Sequence, residues 1–301
     1  MNTLLSGSSG FLGQYLLQKL QPNCTTIGRS SSNAIFCDLS TEIPVLNQQF
    51  DLVVHNAGKA HVVPKTQAER EDFFKVNVAG TKHLLKSLEQ SPGLPGSFIF
   101  ISTVAVYGRE VGENIAENTS LMAQDPYGRS KIEAEEMIRE WGRVHGVKTG
   151  ILRLPLIVGN NPPGNLGAMI KAIQKGYYFN IGQGQARRSM VLAEDVAEII
   201  PKLVQTGGTF NLTDGCHPSY SEISQHIGKM LHKPVRNLSN SIALTLAGIG
   251  SGIQVMTQKS FPFNKRAYSK MTSSLTFSDE KAKEVLGWQP RSVLAHLDEL
   301  V

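Results

Sequence analysis

Short apolar runs alternate with amphipathic segments through the first half of the chain. The apolar runs lie at Asn2 to Ser6, Thr25 to Gly28, Ala34 to Cys37, Leu52 to His55, Ser97 to Ser102 and Lys148 to Leu154. Apolar residues at three- and four-residue spacing predict helices through Leu12, Leu16, Leu17 and Leu20, from Ala68 to Leu88 and from Tyr127 to Val144. Strands alternating with helices are typical of βαβ units, so the pattern predicts an α/β fold with a parallel sheet.

The second half of the chain is less regular. From about Gly159 onward, loops rich in proline and glycine interrupt the pattern, as at residues 160–164 and 182–185. An apolar run at Thr209 to Leu212 indicates a return to the sheet. We therefore predict one domain at residues 1–158 and a smaller, interleaved substrate region at 159–301 that returns to the sheet near 187–213.

One apolar stretch, Ile242 to Met256, has the composition of a membrane segment but not its length. It is interrupted by glycines and falls short of about 20 residues, so we expect a buried or lid helix and no stable insertion into a membrane. Contact with a membrane surface is the alternative. The N-terminus carries no secretory signal pattern, and we expect a cytoplasmic protein.

Composition narrows the classes of partner. With 41% hydrophobic and 18% charged residues, the 301-residue chain is typical of a globular protein. Its net charge of +5 suits an anionic substrate, and its basic residues look scattered rather than clustered, so we do not expect nucleic acid as a partner.

Cysteines and histidines do not form a metal-binding pattern. The three cysteines lack a CxxC pair, which fits a reducing compartment. His55 and His61 are the nearest suggestive pair, but no third ligand accompanies them. We expect no metal site.

A glycine turn, Gly7-Ser8-Ser9-Gly10-Phe11-Leu12-Gly13, follows the first predicted strand and precedes the first helix. In this context backbone N–H groups and the helix dipole bind a pyrophosphate, and the missing side chains allow close approach. A tight structural turn is the alternative. The context favours a dinucleotide site.

The second predicted strand ends in Gly28-Arg29-Ser30, without the acid that usually binds the ribose 2′-hydroxyl. Because a guanidinium pairs well with a 2′-phosphate, we expect NADP(H) to be favoured, with NAD(H) possible. Asp38, after the third strand, is expected either to accept from the adenine amino group or to be a helix N-cap.

Tyr127 and Lys131 lie four residues apart on one face of a predicted helix. A free phenol has a pKa of about 10, so we expect the Lys131 ammonium and a positive nicotinamide to lower the pKa of Tyr127. Tyr15 and Lys19 show the same spacing, but their helix is expected to pack on the sheet. Thr103 ends an apolar strand where such sheets hold ligands and is expected to orient the substrate oxygen.

Several motifs in order resemble the extended short-chain dehydrogenase/reductase family, in its nucleotide-sugar epimerase, dehydratase and reductase branch. The resemblance spans nearly the whole chain. The matching segments are the glycine turn, His55-Asn56-Ala57-Gly58, Asn77-Val78-Ala79-Gly80-Thr81, Ser102-Thr103, Val106-Tyr107-Gly108, Tyr127 with Lys131, Leu152-Arg153-Leu154-Pro155 and Leu286-Gly287-Trp288-Gln289-Pro290.

The resemblance implies a Rossmann-type NAD(P)-binding domain at residues 1–158 and a homodimer formed through the helices at 68–88 and 127–144. It implies a catalytic triad of Thr103, Tyr127 and Lys131. It implies cofactor contacts at Gly7, Ser9, Gly10, Phe11, Leu12, Gly13, Arg29, Ser30, Asp38, Leu39, Asn56, Ala57, Gly58, Asn77, Tyr127, Lys131, Pro155 and Ile157. Thr103, Asn165 and Arg188 would contact the nucleotide sugar, and Arg187 could replace Arg188.

One departure from the family narrows the chemistry. Sugar dehydratases of the branch resemble one another in an Asp-Glu pair after the catalytic threonine, whereas this chain has Val104-Ala105, which cannot exchange protons. Dehydration is therefore disfavoured. Because Arg29 favours NADP(H), which a reductase usually draws from a replenished pool, we expect reduction of a 4-keto(-6-deoxy) sugar nucleotide. A 4-epimerase with retained NAD is the first alternative, and a non-catalytic NAD(P)-binding protein is the second.

Replacing Arg29 with aspartate is expected to shift the ratio of kcat/KM values with NADPH and NADH toward NADH. A carboxylate repels a 2′-phosphate and accepts a hydrogen bond from a 2′-hydroxyl. Steady-state kinetics with both cofactors measure the ratio, and an unchanged ratio would contradict the assignment.

Overall fold

The structure, a computed structural model, describes residues 1–60, 62–257 and 263–300. Its strands are β1 (Thr3–Ser6), β2 (Cys24–Gly28), β3 (Ile35–Phe36), β4 (Leu52–His55), β5 (Ser97–Thr103), β6 (Gly112–Ile115), β7 (Lys148–Leu154), β8 (Leu156–Val158), β9 (Phe179–Ile181), β10 (Met190–Leu192), β11 (Gly208–Asn211), β12 (Arg236–Leu238) and β13 (Leu275–Phe277). Seven of them form a central sheet in the order β11-β7-β5-β4-β1-β2-β3. Every pairing in this sheet is parallel.

Helices cover both faces of the central sheet. They are α1 (Phe11–Leu20), α2 (Gln67–Phe74), α3 (Gly80–Glu89), α4 (Pro126–His145), α5 (Gly164–Gln174), α6 (Ala193–Thr206), α7 (Tyr220–Met230), α8 (Asn240–Thr257), α9 (Lys265–Thr272), α10 (Glu280–Leu286) and α11 (Val293–Leu300). Within the described residues, none of them combines the length and the apolar character needed to cross a bilayer.

Successive strand residues face opposite layers of helices, as the two-residue repeat of a strand requires. One set of sheet residues packs with α3 and α4, and their neighbours in sequence pack with α1, α6 and α10. The first set includes Leu4, Val53 and Phe98, and the second includes Leu5, Val54 and Ile99. The predicted Rossmann-type doubly wound parallel sheet is confirmed.

The helix predicted from Ala68 to Leu88 is not one regular helix. A π-helical turn at Lys75–Ala79 separates α2 from α3, and the side chain of Asn77 within it is buried. Such turns insert one extra residue and often occur at functional sites. Apolar periodicity did not reveal this turn, because the residues on either side keep a helical spacing.

The C-terminal region is built on short parallel strand pairs outside the central sheet. These pairs are β8 with β10, β9 with β12 and β6 with β13. Of the segment 187–213, β11 enters the central sheet, whereas β10 pairs with β8 instead. A separate apolar cluster holds α5, α7 and α11 together.

A buried ion pair joins α4 to the central sheet. The carboxylate of Glu135, 0% exposed, accepts hydrogen bonds from Nε and Nη2 of Arg153 on β7, at 3.1 and 2.8 Å. The Ser102 hydroxyl donates to the same carboxylate at 2.6 Å. Arg153 also donates to the Tyr107 hydroxyl at 3.0 Å, which donates in turn to Asn211 at 2.7 Å. The network spans α4, β5, β7 and β11.

Charge from Arg153 outweighs the burial of Glu135. Burial alone would raise the pKa of this carboxyl, but hydrogen bonds and charge from Arg153 hold the pKa below its ordinary value of 4.5. A carboxylate with a lowered folded-state pKa stabilises the fold above its unfolded pKa, and the contribution is lost as pH falls through the folded value.

Glu135→Gln is therefore expected to lower the free energy of unfolding at pH 7 by about 3–5 kcal/mol, because Arg153 loses its buried counter-charge. The difference should shrink in acid, where the wild-type carboxyl is itself neutral. Urea unfolding at neutral and acidic pH measures both effects. Glu136→Gln, at the exposed neighbouring carboxylate, is the matched control. An equal decrease in the free energy of unfolding for both variants would contradict a particular contribution of the buried ion pair to stability.

Candidate active site

A cavity of about 650 Å³ lies at the carboxyl ends of β1, β2 and β4. Ten of the predicted cofactor residues line it: Gly7, Ser9, Gly10, Arg29, Ser30, Asp38, Leu39, Asn56, Ala57 and Gly58. The remaining predicted cofactor residues do not line it: Phe11, Leu12, Gly13, Asn77, Tyr127, Lys131, Pro155 and Ile157. The structure thus brings the glycine turn together with the carboxyl ends of β2 and β4.

The glycine turn leaves no room for side chains. Gly7 has φ +72°, and a Cβ there would lie 2.6 Å from the backbone nitrogen of Ala57. A Cβ at Gly13 would lie 2.0 Å from the carbonyl oxygen of Gly7. Gly13 and Leu12 are buried in the contact between α1 and the turn, so their place in the structure is a packing one.

The first turn of α1 opens toward the cavity. No side chain caps the helix at Gly10, and the Gly10 N–H donates to the Gly7 carbonyl at 3.2 Å. Uncapped N–H groups at a helix N-terminus, together with the helix dipole, favour a phosphate. A pyrophosphate therefore fits the turn.

Arg29 and Asp38 face each other at the opposite end of the cavity. Their side chains are 4.0 Å apart, and that of Arg29 is 74% exposed. Asp38 accepts hydrogen bonds from the backbone and hydroxyl of Ser40, at 3.0 and 2.7 Å. Burial would raise the pKa of Asp38, but the bonds from Ser40 lower it. The helix N-cap alternative for Asp38 is wrong, because the chain makes a turn there and no helix begins.

Asn33 is a cavity residue that the sequence did not reveal. Its Oδ1 accepts from the Ser8 hydroxyl at 2.9 Å, and its Nδ2 donates to the Ser30 carbonyl at 3.0 Å. Asn33 thus ties the glycine turn to the loop after β2. Asn33 follows a run of serines that is typical of a loop. The sequence pattern therefore gives no indication of this contact.

Thr103, Tyr127 and Lys131 converge where β5 meets the first turn of α4. Asp125 caps α4 by accepting from the Gly128 N–H at 3.0 Å, and Pro126 occupies the first turn. The Thr103 side chain adjoins the Tyr127 phenol, whose pKa it lowers, and accepts from the Ala105 N–H at 3.2 Å. Lys131 donates to the Ile101 carbonyl at 2.8 Å.

The proton affinities of this pair differ from our expectation. Burial raises the pKa of Tyr127 to about 12, although the hydrogen bond with Thr103 works in the opposite direction. Burial lowers the pKa of Lys131 to about 8, and the charge of Glu135 partly opposes this shift. In the protein without a dinucleotide the pKa of Tyr127 is therefore raised, and the lowering expected from Lys131 together with a positive nicotinamide stays a prediction. The lysine is directed to a backbone carbonyl, and desolvation of the phenol dominates.

Asn77 joins the two halves of the site. Its Nδ2 donates to the Ser130 hydroxyl of α4 at 2.8 Å, and its Oδ1 accepts from the Lys59 N–H at 2.7 Å. A Cβ at Gly58 would lie 3.1 Å from Asn77 Oδ1 and 3.4 Å from Lys131 Nζ. The cavity of the glycine turn and the proton-transfer residues therefore meet at Gly58.

A second pocket, of about 170 Å³, lies beyond Thr103 in the C-terminal region. Asn165, Arg188, Val104 and Pro155 all line it. Pro155 therefore lies on the side of the predicted substrate residues, and Ile157 packs against the core beside α1. Arg188 donates to the Tyr220 hydroxyl at 3.3 Å and to the Lys270 carbonyl.

Arg187 does not line this pocket. It donates to the His217 carbonyl at 3.1 Å and lies 3.8 Å from a Glu222 carboxylate oxygen. Across the described residues there is no group of three or more His, Cys, Asp or Glu side chains placed to hold a metal ion, and His61 lies outside those residues.

Comparison with known proteins identifies the family. The model of the NAD dependent epimerase/dehydratase family matches residues 3–213. The chain belongs to this family.

Two relatives align with most of this chain. UDP-glucose 4-epimerase of Vibrio cholerae is 27% identical, over 97% of this chain and 91% of the relative. N-acetyl-alpha-D-glucosaminyl-diphospho-ditrans,octacis-undecaprenol 4-epimerase of Escherichia coli O157:H7 is 29% identical, over 82% and 77%.

Solved structures share the fold. UDP-glucose 4-epimerase of Thermotoga maritima, crystallised with UDP-glucose, has a TM-score of 0.76 at 21% identity and covers all of this chain and 97% of that one. RMD of Pseudomonas aeruginosa, complexed with NADPH, has a TM-score of 0.71 at 19% identity, with 99% and 98% covered.

Gly7→Ala is expected to weaken binding of NADPH and NADH at least tenfold. Gly7 and Gly176 both have a left-handed backbone, at φ +72° and +76°, and an added Cβ at Gly176 meets nothing within 4 Å. Gly176→Ala therefore carries the same backbone strain, about 1–2 kcal/mol, without the clash against Ala57. Isothermal titration with each dinucleotide compares the two. Equal affinities in both variants would mean that the turn does not form the cradle.

Proposed function

We propose that this member of the family is an NAD(P)-dependent oxidoreductase that reduces the 4-keto group of a 4-keto(-6-deoxy) sugar nucleotide. The observation that carries the proposal is the position of Tyr127. Its phenol is protonated, since burial raises its pKa to about 12. It lies one helical turn before Lys131, whose ammonium adjoins Gly58 of the larger cavity, and Thr103 directly precedes Val104 of the smaller pocket. A proton donor between a dinucleotide cradle and an anion-binding pocket suits reduction of a carbonyl.

The residues around the larger cavity fit a nicotinamide dinucleotide. The glycine turn would hold its pyrophosphate, and Arg29 with Ser30 would hold a 2′-phosphate, so NADP(H) is favoured and NAD(H) is possible. The bound group would supply the hydride. Lys131 and Gly58 would contact the nicotinamide side.

Tyr127 is the proposed proton donor. With a pKa of about 12 in the free protein, its phenol carries a proton throughout the neutral range. As negative charge develops on the substrate oxygen, Tyr127 would donate that proton and Thr103 would orient the oxygen. The Lys131 ammonium would then stabilise the tyrosinate by charge.

The smaller pocket is the proposed site of the sugar diphosphate. A guanidinium can bind a phosphate through two parallel hydrogen bonds, and Arg188 shares the pocket with Asn165. Val104 lines the same pocket with an apolar side chain and cannot act as an acid or base. This composition supports hydride transfer over elimination of water.

The second candidate is a 4-epimerase that retains NAD and returns the hydride. The Vibrio cholerae and Escherichia coli relatives, both named as 4-epimerases, favour it. Between these two enzymes, Arg29 favours the reductase, since a reductase draws on a replenished cofactor pool that is usually NADPH. A homodimer through α2, α3 and α4 is part of the proposal for either enzyme.

Tyr127→Phe is expected to lower kcat by at least about a thousandfold, because the oxygen loses its proton donor. Dinucleotide affinity should change by less than about threefold, since phenylalanine keeps the ring. Tyr15→Phe is the matched control, because Tyr15 and Lys19 have the same sequence spacing outside the site. Turnover retained by Tyr127→Phe would contradict the proposed role, and nucleotide-dependent behaviour without turnover in the wild type would favour a binding protein.

Reductase and epimerase differ in the fate of the cofactor. We expect one NADPH to be consumed for each UDP-linked 4-keto sugar converted, and no tightly held nucleotide to appear when the purified protein is denatured. Chromatography of the released nucleotide and absorbance of NADPH test both points. Tightly held NAD with no net use of NADPH would exclude the reductase and support the epimerase.

A further inference from the structure

In the part of helix α8 whose side chains the structure describes, two alanines are buried and the large apolar residues are exposed. Ala243 and Ala247 are 0% exposed, whereas Ile242, Leu246 and Ile249 are 54%, 45% and 55% exposed. The last three lie at spacing i, i+4 and i+7 and therefore form one stripe along the helix. A chain that packs for its own core places the large apolar side chains inward. The stripe is thus directed to something outside the chain.

The side of α8 that carries Ala243 and Ala247 packs against the rest of the chain. The backbone N–H of Lys265, at the start of α9, donates to the Ser251 hydroxyl of α8 at 3.1 Å. The alanine face allows α8 to lie close to the rest of the molecule. The alanine face is therefore closed to a partner, whereas the apolar stripe is accessible to one.

The segment that contains α8 is basic throughout. Residues 223–278 hold seven Lys or Arg and no Asp or Glu, while the rest of the chain holds 23 basic and 25 acidic residues. The basic residues are only slightly denser here than elsewhere, and the asymmetry lies in the missing acids. The net positive charge of the chain therefore comes from this segment.

The basic side chains of this segment are available to a partner. Six of the seven lie in described residues, and all six are exposed: Lys229, Lys233, Arg236, Lys265, Arg266 and Lys270. In the part of the chain that the structure describes, Arg266 is the one that forms an ion pair, with Glu110 at 3.0 Å. Among the described residues, the other five form no ion pair with a carboxylate.

We propose that α8 and these basic residues bind the surface of a membrane that contains anionic lipids. The stripe of Ile242, Leu246 and Ile249 enters the boundary between headgroups and acyl chains, and the basic side chains contact the headgroup phosphates. Membrane-surface helices combine an apolar stripe with Lys and Arg. Here α8 supplies the stripe, and the basic residues lie on the segments before and after it, from α7 to β12 and on α9.

Charge disfavours the other occupants. In a symmetric contact between two copies the same patch faces itself, which would bring the basic residues of both chains together. Nucleic acid would pair with the basic residues but has no use for a stripe of half-exposed isoleucine and leucine. A bilayer with anionic headgroups matches both features.

Flotation of the full-length protein with vesicles tests the proposal. We expect binding to vesicles of equal parts phosphatidylglycerol and phosphatidylcholine, weaker binding to phosphatidylcholine alone, and release by high salt. Ile242→Ser with Ile249→Ser should lower the partition coefficient at least about tenfold. Val45→Ser with Val285→Ser, at exposed valines elsewhere, is the control and should bind as the wild type does.

A second pair of variants changes only charges outside α8, so it tests the electrostatic part of the proposal without altering the helix. Lys233→Glu with Arg236→Glu should lower binding about 30-fold or more, whereas Lys19→Glu with Lys86→Glu, at exposed lysines elsewhere, should have a small effect. Absence of binding by the wild type at low salt, or equal binding by α8 and control variants, would overturn the proposal. So would a serine variant that converts a dimer into a monomer in light scattering and still binds vesicles.

Discussion

The buried pair of Glu135 and Arg153 is the constraint on which the rest of the site depends. Glu135 lies on α4, Arg153 on β7, and the Ser102 hydroxyl on β5 donates to the same carboxylate. These directional bonds determine how α4 is rotated about its axis against the sheet. Thr103 follows Ser102 directly, and Lys131 lies one helical turn before Glu135. The ion pair therefore positions both sides of the proton-transfer site.

The same burial determines where the proton rests. Moving a neutral phenol and a charged ammonium out of water raises the pKa of Tyr127 and lowers that of Lys131, to about 12 and about 8. In the protein alone the tyrosine is thus a proton donor, ready for a carbonyl oxygen that gains charge. The negative charge of Glu135 keeps part of the positive charge on Lys131. The buried Glu135 carboxylate thus orients α4 and partly opposes the lowering of the Lys131 pKa by burial.

Features that depend on local pattern could be predicted from the sequence. The strands, the glycine turn and the residues Thr103, Tyr127 and Lys131 each follow from spacing or from resemblance to the family. Their convergence in space agrees with those expectations, while their roles remain proposals. The family itself is established by the match over residues 3–213.

Features that depend on long-range contacts could not be predicted. Asn77 bridges Lys59 and Ser130, and Asn33 bonds to Ser8, through side chains far apart in sequence. The pKa of Tyr127 was expected to fall beside Lys131 and a positive nicotinamide. In the protein alone, burial raises this pKa and Lys131 is directed to a backbone carbonyl, and only the fold determines both features.

The transfer of deuterium from cofactor to substrate tests the proposed chemistry most directly. NADPH carrying deuterium at the transferable position of the nicotinamide is mixed with a UDP-linked 4-keto sugar, and the product is examined by mass spectrometry and NMR. We expect one deuterium at C4 of the sugar for each NADPH oxidised, with Tyr127→Phe failing to form the labelled product. A sugar converted at C4 without deuterium, and without loss of NADPH, would contradict reduction by this site.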